Sequence, residues 1–227
     1  MAEPPPAITL IVPDFSSVRL IACSPPSWTV LLALEEKRIG YATRKISLAD
    51  GEHRAPEMLA RNPRGTTPVL IDGDRVVYET FAVLEYVDFA FPAPPLMPAD
   101  PMARARALTR LHESSHLRSL GMDLFSWLAE TLEMQRSAGR MEAMVAALHR
   151  ELTFWDRCYG QGAWAAGDAL SLADLSVFPF VATVSQLGLD LPEWYPNLQR
   201  FHAAMKDRPS ARATWPASWG EPLDLLA

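Results

Sequence analysis

Cysteine is almost missing from this chain. Cys23 and Cys158 are the two in 227 residues, too few and too far apart for a disulfide framework, so both are expected as free thiols of a reducing compartment, by default the cytoplasm. Positive charge is also scarce. With 21 Lys and Arg against 27 Asp and Glu, a formal net charge of −6 and no basic run, nucleic-acid binding has little electrostatic support. No apolar run approaches the ~20 residues of a membrane span, and the opening Met-Ala-Glu-Pro-Pro-Pro lacks the positive start of a secretory signal. Internal repeats are absent, and so are metal-ligand patterns: His112 and His116 stand four residues apart with no Glu or Cys cluster beside them. No metal is therefore expected. What the chain does have is a hydrophobic content of 49%, enough for one large domain or two small ones with real cores.

The patterning divides at residues 91–98, where Phe-Pro-Ala-Pro-Pro-Leu-Met-Pro places four prolines within eight residues, a composition suited to an extended connector. Before it, strands and helices alternate. Residues 18–22 read as a strand ending at the turn Cys-Ser-Pro-Pro-Ser of residues 23–27. Residues 28–38 read as an amphipathic helix, 41–46 as a strand, 55–61 as a short helix, 69–71 and 76–78 as a hairpin around Asp72-Gly73-Asp74, and 80–89 as a helix. The order is βαβαββα. After the connector only helical periodicity remains, over 102 to about 135, 141–159, 172–187 and 198–206. Within the third of these, Ser171-Leu-Ala-Asp174 is a capping-box variant announced by Gly167-Asp168. The expected organisation is an extension over 1–17, which adds an edge strand or stays mobile, an α/β domain over 18–92, a linker over 93–100 and an all-helical domain over 101–227.

One stretch carries chemistry of its own. In Thr67-Pro68-Val69 the proline cannot donate to a ladder and so belongs at the start of a strand; a cis bond there would leave the Val69 backbone to pair with an extended peptide. The second strand of the hairpin runs into Glu79-Thr80, an acid and a hydroxyl at a helix start. Unpaired N–H groups there suit a carboxylate, and Glu79 suits an ammonium. A ligand with an α-amino-acid end and a peptide backbone satisfies both halves.

Several segments together resemble the cytosolic glutathione transferase superfamily over about residues 18–210. They are Ser24-Pro-Pro-Ser-Trp running into Ala33-Leu-Glu-Glu-Lys37, His53-Arg-Ala-Pro-Glu, Asn62-Pro-Arg-Gly-Thr-Thr-Pro-Val, Tyr78-Glu-Thr, and Ala166-Gly-Asp-Ala-Leu-Ser-Leu-Ala-Asp174. The serine turn is most similar to the rho class, and residues 53–69 also to the phi class. The resemblance implies an N-terminal thioredoxin-like domain followed by a helical bundle, glutathione as co-substrate, a homodimer, and detoxifying conjugation of small hydrophobic electrophiles.

The same resemblance implies roles by position. Ser24 falls where serine-type classes keep a catalytic hydroxyl. A hydroxyl at a strand-to-helix turn, with the N–H groups of the helix start, can donate to a thiolate and lower a thiol pKa from about 8.5 toward neutrality. Cys23, one residue earlier, is the alternative as a catalytic thiol for thiol transfer, or packs into the core; Ser27 is a backup donor. Thr67, Pro68 and Val69 would hold the cysteinyl unit, Glu79 and Thr80 the γ-glutamyl end, and His53 and Arg54 the glycyl carboxylate. Thr66 stands where related enzymes often have a glutamine, and Thr29 where several classes have an arginine. The electrophile is expected against His112, Ser115, His116, Ser119 and Met122 of the first long helix, covered by Trp215 and Trp219. A non-catalytic ligand-binding module remains the alternative outside enzymes.

Overall fold

A computed structural model describes residues 8–15, 23–130, 137–223 and 225–226. The N-terminal part is built from β1 (Ile8–Pro13), α1 (Pro25–Glu36), β2 (Tyr41–Ile46), a 3-10 turn at Glu52–Arg54, α2 (Pro56–Arg61), β3 (Val69–Asp72), β4 (Arg75–Tyr78) and α3 (Thr80–Ala90). Its four strands form one mixed sheet in the order β2-β1-β3-β4, with β1 parallel to β2 and antiparallel to β3. This is the thioredoxin-like arrangement, βαβαββα. Residues 91–100 hold no helix or strand and lead to α4 (Pro101–Glu130), α5 (Ala138–Tyr159), α6 (Leu172–Gln186), α7 (Leu191–Trp194), α8 (Pro196–Lys206) and α9 (Pro209–Thr214).

The first strand corrects the expectation for the N-terminus. Residues 18–22 lie outside the described residues, and the strand beside β2 and β3 is Ile8–Pro13, so residues 8–13 belong to the sheet and not to an extension or an edge. The physical reason is legible afterwards: this run is apolar except for Thr9, and a strand flanked on both sides and covered on both faces reads that way. Ile8, Leu10 and Val12 pack with Val30 and Leu34 of α1 and with Val83 and Val87 of α3. Ile11 faces the other way, against Ile46, Met58 and Val69.

The start of α1 also differs from the expected residue 28. Pro25 and Pro26 are its first two residues and Ser24 its N-cap, because proline suits a first turn whose N–H groups have no intrahelical partner. Two short helices, α7 and α9, went unread, and each begins with proline in its first turn. The other predicted elements appear within a few residues of their expected ends.

Helix α1 has two apolar faces. One packs on the sheet; the other, through Trp28, Leu32 and Ala33, joins the large core of the helical part. Buried contacts lock the junction. Lys37 Nζ, fully buried, donates to Asp88 Oδ1 at 2.8 Å and to the Pro94 carbonyl at 2.7 Å, and the same Asp88 oxygen accepts from the Leu96 amide. Across the junction, Glu36 accepts from Arg208 Nε and Nη2 at 2.6 and 2.7 Å and from Ser210. Beyond α9 the chain returns to α6, where the Leu223 amide donates to the Gln186 carbonyl. Gly188, at φ +108, permits that return: a Cβ there would stand 2.3 Å from the Leu223 carbonyl oxygen.

Candidate active site

Three chain segments converge at one end of the sheet. The register sets Ile11 opposite Val69 and Val69 opposite Tyr78, so the end of β1, the start of β3 and the end of β4 are neighbours. From there the chain runs on one side to the serine turn and on the other to Glu79 and Thr80. Ser24 lines one cavity together with Val12 and Pro13 at the end of β1, which places the candidate thiol-activating residue at the same end of the sheet as the candidate peptide clamp.

At the serine turn, the Ser27 amide donates to Ser24 Oγ at 3.4 Å, a long bond that uses one lone pair and leaves the hydroxyl hydrogen free to donate. Ser24 is partly exposed and lines a cavity of about 400 Å³, together with Ser27, Leu31, Lys45, Pro216 and Ser218. Ser27 is buried and its Oγ has no hydrogen-bond partner among the described residues. Thr29 is buried too, its hydroxyl donating back to the Pro25 carbonyl, so it turns into its own helix. Cys23 also reaches the cavity wall, but its sulfur lies 3.9 Å from Thr183 Oγ1 on α6. Burial pushes the Cys23 thiol up to about 12, with the Thr183 hydroxyl offsetting only part of the effect. A thiol in that state is protonated at neutral pH and is a poor nucleophile.

The clamp side is held by Asn62, which is fully buried. Its side-chain amide donates to the Thr66 carbonyl at 2.8 Å and to Thr66 Oγ1 at 3.0 Å, while its Oδ1 accepts from the Arg64 amide. Gly65, at φ +60, lets this loop pass close to the 3-10 turn, since a Cβ there would meet the His53 carbonyl at 3.1 Å. His53 and Arg54 are thereby brought beside the loop that leads to Thr67. His53 is partly buried and its Nδ1 has no partner among the described residues; Arg54 is exposed. The Thr67–Pro68 bond is cis, and Pro68 and Val69 are buried at the start of β3. Glu79, the N-cap of α3, stands at φ +68 with its side chain exposed. For a residue with a Cβ this backbone is uncommon, and such positions cluster at ligand sites. Thr80 is buried behind it.

The expected electrophile residues sit apart from the cavity beside Ser24, to which α4 contributes no lining residue. His112, Ser115, His116 and Ser119 are exposed on α4, and Met122 is half-buried against the helical core. His112 stands edge-on to Phe81 of α3, ring centroids 5.7 Å apart. Trp215 and Trp219 do lie close to the serine turn: each packs edge-on to Trp28 at 5.5 Å, and Trp28 Nε1 donates to Thr214 Oγ1. One residue of α4 went unread. Arg118 donates through Nη1 to Thr80 Oγ1 at 3.0 Å, and as one of several arginines on α4, with Arg104, Arg106 and Arg110, it carries no sequence signal that would have singled it out.

Known proteins match this arrangement along nearly the whole chain. The family model "Glutathione S-transferase, N-terminal domain" matches residues 23–89, and "Glutathione S-transferase, C-terminal domain" matches 122–213. Glutathione S-transferase A of Pleuronectes platessa is 34% identical over 203 residues, covering 87% of this chain and 90% of that protein. The chain belongs to the glutathione S-transferase family. A glutathione S-transferase from the Antarctic clam Laternula elliptica superposes with a TM-score of 0.80 at 30% identity, over 96% of this chain and 97% of that one. A theta class glutathione S-transferase from Xanthomonas axonopodis pv. citri, with glutathione bound, gives 0.82 at 25% identity over 92% and 97%. Maleylacetoacetate isomerase of Pseudomonas aeruginosa is 29% identical over 204 residues, covering 86% of this chain and 93% of that protein. The N-terminal match begins at Cys23, so β1 lies ahead of the matched glutathione S-transferase domain, separated from α1 by a long connection that begins at Asp14.

Proposed function

We propose that this chain is a glutathione S-transferase that binds glutathione along β3 and uses Ser24 to stabilise its thiolate for attack on small hydrophobic electrophiles. The observation that carries the reading is the contrast at the serine turn: Ser24 borders a cavity with its hydroxyl hydrogen uncommitted, while the neighbouring Cys23 is directed at Thr183 and held protonated. Family membership and the glutathione-bound relative support the co-substrate.

In this reading the protein supplies no nucleophile. The Val69 backbone pairs with the cysteinyl unit, Thr67 and Pro68 fix its approach, Glu79 takes the α-ammonium and Thr80 the α-carboxylate, and His53 with Arg54 takes the glycyl carboxylate. The sulfur then lies over the start of α1. There the Ser24 hydroxyl and the positive end of the helix favour the thiolate over the thiol. Lowering the thiol pKa by about two units corresponds to roughly 2.7 kcal/mol of preferential stabilisation. The thiolate attacks the electrophile, whose leaving group or double bond accepts the electron pair. Trp215 and Trp219 supply apolar cover near the turn, and α4 is the second wall, with His112, Ser115, His116 and Ser119 exposed on it and Met122 half-buried. Assembly as a homodimer is part of the proposal.

Thiol transfer through Cys23 is the less favoured reading because its sulfur is directed at Thr183 and held protonated. Isomerisation of the kind named for the Pseudomonas relative is also less favoured: the turn of that type resembles Ser-Ser-Cys-Ser-Trp-Arg, whereas this chain has Pro25 and Pro26 in the middle positions and Thr29 in place of the Arg. Binding to immobilised glutathione tests the clamp, and size-exclusion chromatography with light scattering tests the dimer. The chemistry is tested by assaying chlorodinitrobenzene conjugation and mixed-disulfide reduction for Ser24→Ala and Cys23→Ala. Conjugation lost only with Ser24→Ala is the expected result; disulfide reduction lost only with Cys23→Ala would transfer the chemistry to the thiol.

A further inference from the structure

Arg118 is a cation with no anion in direct contact among the described residues. It is partly buried midway along α4. A guanidinium carries five N–H donors in a planar fork; here one of them reaches Thr80 Oγ1 at 3.0 Å. Burial draws its pKa below the usual guanidinium value, and the negative charge of Glu79 opposes that shift. Its surroundings therefore penalise the positive charge, and the negative charge of Glu79 acts on it at a distance, with no direct ion pair among the described residues. A neutral hydroxyl is a weak reason to keep a guanidinium there. An anion arriving beside Thr80 is a strong one.

The neighbours define the ligand. Glu79 brings a negative charge, Arg118 a positive one, and the Thr80 hydroxyl stands at the hydrogen-bond contact with the cation. A zwitterionic α-amino acid head complements this set: its ammonium answers Glu79, and its carboxylate answers the guanidinium and the hydroxyl together. We infer that Arg118 is a glutathione-binding residue contributed by the helical domain, pairing with the α-carboxylate of the γ-glutamyl unit beside Thr80. The inference rests on the proposed glutathione site and deepens it. It makes the first long helix a participant in co-substrate recognition as well as a wall for the electrophile, and it explains why a cation sits on α4 where the sequence offered no periodic reason for one. A charge-assisted bidentate contact of this kind is also more selective than a hydroxyl alone, because it rejects ligands that lack the carboxylate.

The test is a calorimetric binding cycle on the full chain, using glutathione and γ-aminobutyryl-cysteinyl-glycine, which lacks only the α-carboxylate. The wild type should bind the decarboxylated tripeptide roughly 10- to 100-fold more weakly than glutathione. Arg118→Ala should bind glutathione about as weakly as the wild type binds the analogue, with little further loss for the analogue itself. Arg118→Lys, which keeps the charge without the fork, should recover part of the loss. Equal losses for both ligands in Arg118→Ala would reduce Arg118 to a structural role and overturn the inference, as would unchanged affinity for glutathione. Should the alanine variant lose its helical circular dichroism, the lysine variant carries the same comparison: weakened discrimination between the two tripeptides supports the contact, and undiminished discrimination refutes it. A wild-type protein that binds neither tripeptide would instead overturn the glutathione site itself.

Discussion

Two of the helices with a serine N-cap, α6 and α1, have first turns of opposite character. At the start of α6, Asp174 is fully buried and accepts four hydrogen bonds: from the Ser171 amide and hydroxyl at 2.8 Å each, from the Ala165 amide at 2.8 Å and from the Tyr159 hydroxyl at 3.2 Å. Burial still holds its carboxyl above the usual carboxylate range despite those donors. At the start of α1, Ser24 receives one long bond from the Ser27 amide and faces a cavity. A saturated helix start fixes a fold. An unsaturated one at a surface cavity has capacity left for a ligand, and the same residue type serves both purposes according to what surrounds it.

The comparison is broken most severely at its saturated side. Asp174→Ala strands buried amides of Ala165 and Ser171 together with the Tyr159 hydroxyl, and we expect a loss of about 3–5 kcal/mol in urea denaturation, enough to unfold much of the protein. Next comes the unsaturated side. Ser24→Ala should reduce conjugation at neutral pH about 100-fold and move the pH–rate midpoint up toward the free thiol value near 8.5, while unfolding free energy falls by only about 1 kcal/mol.

A third outcome concerns the far face of α6, where His202 packs against Phe178 at 5.8 Å. Burial, with the nearby Lys206 charge, lowers its pKa from 6.5 to about 4. Between those values the unfolded chain binds a proton that the folded chain excludes, so stability is fully present above about 6.5 and declines as pH falls toward 4. We expect a loss of about 3 kcal/mol at most over that window. It should be largely absent in His202→Gln, as read by denaturation at fixed pH. The smallest effect is reserved for Cys23→Ala, which should leave conjugation within about threefold of the wild type, since a thiol held protonated contributes nothing to catalysis. In the folded wild type, Cys23 should also react with iodoacetamide at pH 8 roughly 100-fold more slowly than an unperturbed thiol.

The parts legible in the sequence were those fixed by short-range rules. The proline before Val69, the Asp72-Gly73-Asp74 turn, the acid and hydroxyl opening α3 and the box at Ser171-Asp174 each follow from local backbone chemistry, and each stands where it was expected. The misread parts depend on distant neighbours. Residues 8–12 form a short apolar run, and local pattern does not show that it joins the sheet; the pairing of Ile8–Pro13 with both β2 and β3 does. Likewise, Arg118 and Thr80 are 38 positions apart, and only the packing of α4 beside α3 makes them partners. Cys23 and Ser24 are neighbours in the sequence, and the reason for their difference lies in Thr183 on α6.

The Lys37–Asp88 bridge has a mechanical consequence. It ties the last turn of α1 to α3 and, through the Pro94 carbonyl and the Leu96 amide, to both sides of the proline-rich crossing. That crossing is therefore riveted at its middle and cannot serve as a hinge. Any breathing needed to admit a bulky second reactant must come from the aromatic tail or from side chains along the long helix, with the two halves of the protein moving as one piece.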